Sequence, residues 1–359
     1  MFQWNGGIHS GNRVSLGDGQ DDFTAFYQEG LNAAGGEGGD RGHLYYSKET
    51  VWTGGSGADE LELYLTEGGS YYGGADNDTF IDTANYGYSE GISQGNTLYG
   101  GTGADTFQLS GTGQTVLGGA DEDHISGVVS ESQVYGEGGN DLLNGGTMRG
   151  ISTELLMDGG AGDDQLISGG AGNILLGGTG SDTLSVSGYF FGQSTDNVLS
   201  GGAGADVYDI GPDFRRSVIR EEGLAGETDT VHLYDEYRAS DATVSRSGSD
   251  LVLNLGEWNG SQQALTVERF FDSAAQRIER FEFGDGSVWT DTQDGAAGPG
   301  CGIGDSRREH RSGRGFGCRA PGAAAGGRSH RIAGRQGRSV SQNYGGRRAI
   351  QTRGQAGHA

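Results

Sequence analysis

Eight aspartates recur in one local setting, and their spacing is what first points to chemistry. Each holds the sixth position of a nine-residue phrase, cleanest as GGTGADTFQ from Gly100. The phrase also reads GGSGADELE from Gly54, GGADNDTFI from Gly73, GGADEDHIS from Gly118 and GEGGNDLLN from Gly136. It continues as GGAGDDQLI from Gly159, GGTGSDTLS from Gly177 and GGAGADVYD from Gly201. The general form is G-G-x-G-x-D-x-U-x, with U large and apolar. A carboxylate projected from a tight turn, among backbone carbonyls, is an oxygen-only donor set that suits a hard cation such as calcium. Asp76 and Asp121 stand in place of the fourth-position glycine, where Asp tolerates left-handed backbone. The candidate metal ligands are therefore Asp59, Asp76, Asp78, Asp105, Asp121, Asp123, Asp141, Asp164, Asp182 and Asp206.

The elements that position them follow from the residues on either side. Two residues after each sixth-position Asp comes Leu61, Phe80, Phe107, Ile125, Leu143, Leu166, Leu184 or Tyr208, an inward-facing start to a short strand. A second strand precedes each glycine pair, marked by Trp52, Tyr71, Leu98, Val116, Val134, Leu175 and Leu199. Successive aspartates lie 18 or 19 residues apart in the regular stretches, which is two phrases: two strands and two turns per coil. Intervals of 27, 23 and 24 residues also occur, with the excess near 82–96, 145–154 and 187–196, all in the turn without Asp. One edge of the coil stack is thus a regular row of carboxylates and the other carries variable loops.

This repeat resembles that of the RTX, or haemolysin-type, calcium-binding proteins, over roughly residues 16–290. The resemblance implies an all-β fold, a right-handed parallel β-roll or β-helix solenoid, that holds several calcium ions. The segments TDTVHL, SRSGSDLVL, LTVERFF and RIERFEFGDGSVW resemble the haemolysin-type calcium-binding-related region that follows such repeats. By the same resemblance, export goes through a type I secretion channel that reads an uncleaved C-terminal signal, to a secreted, extracellular destination. The expected role is a calcium-folded structural module of a secreted bacterial protein, non-catalytic in itself. Two alternatives stay open: the accessory repeat region of an RTX lipase, protease or alginate-modifying enzyme whose catalytic domain lies outside this chain, or an adhesin module.

Composition agrees with a solenoid. Gly numbers 74 of 359 residues, about a fifth where roughly 7% is usual, yet Pro numbers three and the glycines are periodic. Only 33% of residues are apolar, enough for one inward row per strand. Residues 1–294 hold 12 basic residues against 47 acidic ones, so this part should repel nucleic acid and anionic membranes. The expected divisions are 1–53 degenerate repeats, 54–208 the regular roll, 209–292 a β-rich C-terminal region and 293–359 a tail. Asp21 and Asp40 continue the 19-residue spacing into the first division, although Gly42 stands where an apolar residue belongs. Such a start in mid-pattern suggests a fragment of a longer protein. The tail is rich in Arg, Gly and Ala and carries both cysteines, Cys301 and Cys318. Its composition predicts disorder and fits repeat codons read out of frame.

Other chemistry reads poorly. Gly91-Ile92-Ser93-Gln94-Gly95 matches the hydrolase elbow G-x-S-x-G but lacks its strand and helix setting. The seven histidines form no H-E-x-x-H, and His124 should face solvent. No apolar run reaches the length of a membrane-spanning helix. Tyr86, Tyr88, Tyr189, Phe190 and Phe191 lie in the long loops, outside the core rows, where exposed aromatics would suit a glycan or cell-surface ligand.

Overall fold

A computed structural model describes residues 11–83, 92–147, 150–151, 153–187, 196–224, 226–258 and 260–291, with short strands at Phe2–Trp4 and Cys301–Gly302. All lie in one compact unit, Met1–Arg319; the second unit, Ala320–Ala359, falls outside the described residues. The loop aromatics Tyr86, Tyr88, Tyr189, Phe190 and Phe191 and nearly all of the Arg-rich tail are outside them too.

The chain alternates between two sheets of 15 and 14 described strands, stacked in parallel as a β-solenoid. One coil shows the plan. Strand Thr97–Thr102 lies in the 14-stranded sheet and ends on the glycine pair; Gly103, Ala104 and Asp105 turn the chain; strand Thr106–Thr112 then enters the other sheet. Equivalent residues stack on equivalent residues, as Thr106↔His124, Phe107↔Ile125 and Leu98↔Val116 show. The glycines serve this turn: Gly101 and Gly103 have φ of 120° and 113°, a region that L side chains avoid.

Packing follows from the period-two alternation of the strands. Leu61, Phe80, Phe107, Leu143, Leu166, Leu184 and Tyr208 are buried in one row, facing Trp52, Tyr71, Leu98, Val116, Leu175 and Leu199 in another. Phe80 and Phe107 stack with ring centroids 4.7 Å apart and planes within 3°. Burial of each such side chain stabilises by about 1.5–3 kcal/mol. Gly42 breaks the row on paper but not in space. A Cβ there would lie 3.2 Å from the Trp52 ring and 2.8 Å from Leu61, so the indole fills the volume a larger residue would take. The first coils are accordingly as regular as the rest: strands Asp22–Phe26, Arg41–Tyr45 and Glu60–Tyr64 pair in unbroken register.

The long intervals leave the register intact. Tyr71↔Leu98 and Val134↔Met157 still face each other across the 27- and 23-residue coils. The extra residues leave from the turn opposite the aspartates, where Gly146–Thr147 and Gly150–Ile151 form a small antiparallel pair.

Beyond Ile210 the solenoid continues without the phrase. Arg216–Ile219 is followed in its sheet by Ser261–Val267, and Thr230–Leu233 in the other by Arg280–Glu282, all parallel. Antiparallel hairpins then follow in both sheets. Asp250–Trp258 lies between Ser261–Val267 and Thr243–Ser247, and Val288–Thr290 covers Arg280–Glu282. The Thr243–Ser247 and Asp250–Trp258 hairpin turns at Gly248, with φ of 66°. An antiparallel strand cannot template another coil in the same sense, which gives the stack an end. The chain resumes pairing at Cys301–Gly302, beside Val288–Thr290, inside the segment expected to be a featureless tail.

Candidate metal centre

Each sixth-position aspartate sits where the 14-stranded sheet gives way to the other, with its side chain turned inward under the glycine turn. Asp59, Asp78, Asp105, Asp123, Asp141, Asp164, Asp182 and Asp206 are 0–4% exposed. Their two oxygens have different surroundings. One, Oδ1, accepts the backbone N–H of the corresponding Asp one coil earlier: Asp59 N–H to Asp78 at 2.8 Å, Asp78 N–H to Asp105 at 2.7 Å, Asp105 N–H to Asp123 at 2.8 Å. The series runs unbroken to Asp182 N–H on Asp206. The other oxygen, Oδ2, is buried and has no hydrogen-bond partner in any of the eight.

The leading glycine of each phrase makes room for that oxygen. A Cβ built on Gly100 would collide with Asp105 Oδ2 and with the carbonyl oxygen of Gly118 in the next coil. The same holds at Gly118 with Asp123 Oδ2, where the Gly136 carbonyl oxygen would be 2.9 Å away. From Gly54 to Gly177 each leading glycine thus lies between its own coil's Oδ2 and a carbonyl oxygen of the next coil, while a Cβ on Gly201 meets Asp206 first.

Burial and mutual repulsion push these carboxyls up. Desolvation is the largest cause at each, partly offset by the accepted backbone N–H, with neighbouring carboxylates adding to the rise. Asp59, Asp105 and Asp141 are raised to about 6, and Asp78, Asp123 and Asp182 to about 7. Asp164 and Asp206 are raised as well. A buried carboxylate with an idle oxygen costs several kcal/mol. A proton or a cation removes that cost, and a hard divalent ion bordered by carboxylate and carbonyl oxygens matches the donor set.

The opposite edge uses the same device without charge. There the backbone N–H groups of Gly69, Leu155 and Asn173 donate at 2.9 Å to the side-chain oxygens of Asn96, Asn173 and Asn197. Ser47, Ser93 and Ser132 hydroxyls accept in the same way. The asparagine nitrogens are engaged too, Asn96 with Thr66, Asn173 with Ser168 and Asn197 with the Gly170 carbonyl. Ser93 of the elbow-like motif belongs here: it is buried and donates to Asp82 at 2.8 Å.

Two expected ligands fall outside the buried row. Asp76 and Asp121 are exposed, with left-handed φ of 77°. Their Oδ2 atoms accept the N–H groups of Gly57 at 3.0 Å and Gly103 at 3.2 Å. The row also runs further than the phrases. Asp40, buried and with an idle Oδ2, extends it one coil upstream. Downstream, Asp206 N–H donates to Asp229 and Asp229 N–H to Glu279, each at 3.0 Å. Asp40 had a signal in its 19-residue spacing; Asp229 and Glu279 had none, because no glycine pair precedes them.

Comparison with known proteins bears on the C-terminal part. Residues 250–293 match the haemolysin-type calcium binding protein related domain. They span the closing hairpins of both sheets, from Asp250–Trp258 to Val288–Thr290. No curated protein matches the chain. Among solved structures, a hyperactive, Ca2+-dependent, β-helical antifreeze protein from an Antarctic bacterium is 17% identical, with 80% of this chain and 82% of that chain covered at a TM-score of 0.48. Residues 250–293, at the C-terminal end of this β-helical repeat chain, are thus similar to a domain related to haemolysin-type calcium-binding proteins. Among the described residues no helix is long and apolar enough to cross a membrane.

Proposed function

We propose that the aspartate edge holds calcium ions between successive coils and that their binding drives folding of the chain. In this reading the chain is a non-catalytic structural module of an exported bacterial protein. The observation that carries it is the contrast between the edges: asparagines use both side-chain ends on one, while eight buried carboxylates leave one oxygen idle on the other. Asp59, Asp78, Asp105, Asp123, Asp141, Asp164, Asp182 and Asp206 would supply the carboxylates, and the leading glycines the carbonyls. Calcium supplies the charge that lets these carboxylates ionise inside the coil. Asp76 and Asp121 would shape the turns from outside.

Export suits such a chain. Where calcium is scarce, adjacent carboxylates about 4.8 Å apart repel by roughly 1 kcal/mol each even in water, and the chain stays open. At the roughly millimolar calcium where extracellular modules bind, metal binding becomes folding energy. The haemolysin-type domain supports the extracellular setting, with type I secretion as the route. Calorimetric titration with calcium tests the ligand assignment. Converting Asp105, Asp123 and Asp141 together to Asn should lower the number of ions bound, while the chelated fold gains stability because Asn needs no cation. An unchanged stoichiometry would contradict the assignment.

A further inference from the structure

The phrases stop at Gly201–Asp209, yet the carboxylate row goes on. Leu199 faces Ile219, the last pair of the parallel register, and that register continued by two residues sets Glu221 against Gly201, the leading glycine of the last phrase. In the phrases that position needs a residue without a side chain. Here it carries a carboxylate, and that carboxylate is 3% exposed. Asp206, Glu221 and Asp229 each place a carboxylate oxygen within 4.8 Å of the others, and all three are buried.

The surroundings hold Glu221 in place rather than neutralise it. Its Oε1 accepts the N–H groups of Glu222 and Gly223 at 3.0 Å, and its Oε2 accepts the Tyr208 hydroxyl. Tyr208, fully buried, in turn accepts the Gly201 N–H at 2.7 Å. No ion pair among the described residues involves any of the three carboxylates. Asp206 is wholly buried, and its Oδ2, on the Gly201 side that Glu221 faces, has no partner. Three buried carboxylates this close together are costly to ionise without a cation or a full set of donors.

We propose that Asp206, Glu221 and Asp229 form a terminal calcium site, distinct in donor set from the repeat edge and tighter than it. It rests on the reading of that edge as calcium-binding. Calcium affinity rises with the number of charged ligands and with site rigidity, and here Glu221 adds a third carboxylate oriented by a buried phenol. The site also sits at a junction, since Asp229 joins Asp206 on one side to Glu279 on the other. Its ion therefore fixes the hairpin-capped end of the solenoid to the last phrase, and it fills first.

Calorimetric titration of the full chain with calcium is the test. The expected isotherm has two classes, a tight one of one ion per chain and a weaker one for the repeats. Glu221→Gln should weaken the tight class about 100-fold and leave the weaker class in place. Tyr208→Phe keeps the buried ring and should weaken the tight class about tenfold; it serves if Glu221→Gln does not fold. Asp123→Asn should lower only the weaker class. A tight class untouched by both Glu221→Gln and Tyr208→Phe, or a single class that Asp123→Asn alone reduces, overturns the terminal site while leaving the edge intact. Absence of any calcium binding overturns the edge as well.

Discussion

Acid should do without calcium what calcium does at neutral pH. In chelator at about pH 7.5 the chain is expected to be largely open, and lowering the pH to about 5.5 should restore strand structure. The six aspartates raised to about 6 or 7 start from 3.8 in the open chain. Between those values the coiled form binds more protons than the open form, so its stability falls as pH rises through the window. Within it the idle Oδ2 of the coiled form carries a proton, and the cost of burying its charge is gone. Calcium competes with those protons, so its apparent affinity should weaken as pH drops below about 6. Circular dichroism against pH, with chelator and with calcium, measures both trends. A chelated fold that gains stability as pH rises from 5.5 to 7.5 would contradict the origin assigned to these shifts.

Two glycines two residues apart should behave in opposite ways. A Cβ on Gly136 would collide with Asp141 Oδ2 and lie 2.5 Å from the Gly159 carbonyl oxygen, displacing two oxygens proposed as ligands. Gly136→Ala is expected to cost about 3 kcal/mol, near the upper end for overpacking, and to remove one calcium equivalent. A Cβ on Gly138 would meet nothing nearer than the Gly119 carbonyl oxygen at 4.0 Å, and its φ is not left-handed. Gly138→Ala should change stability by less than about 1 kcal/mol, with a small gain from the stiffer open chain. Denaturant unfolding of both variants in calcium measures the difference. Equal costs would show that the leading glycine is not kept small for the carboxylate.

The regular parts of this molecule were legible because each is periodic and each residue type has one reason to be there. Asp105 needs the turn, Phe107 needs the core, and the 18-residue step that repeats them defines the coil. The long intervals were placed correctly for the same reason, since inserted residues that left the register intact had to leave from the other turn. The neutral edge was not legible. Ser, Thr, Asn and Gln all offer an oxygen to the same backbone N–H, so Ser47, Asn96 and Ser132 share a role without sharing a letter. Compensation across the core was hidden too, because Gly42 and Trp52 lie on different sheets and meet only when the coil closes. Glu221 was the hardest to see. It replaces a glycine, so the repeat that would have flagged it ends one coil before it.

If calcium on the aspartate edge makes the coil, the chain at neutral pH should gain its strands only when the ion is supplied. Far-ultraviolet circular dichroism of the full chain at about pH 7.5, first in chelator and then with calcium raised to about a millimolar, tests it most directly. Little strand signal is expected in chelator, with a cooperative gain as calcium is added. Complete strand signal in chelator, unchanged by calcium, would contradict it.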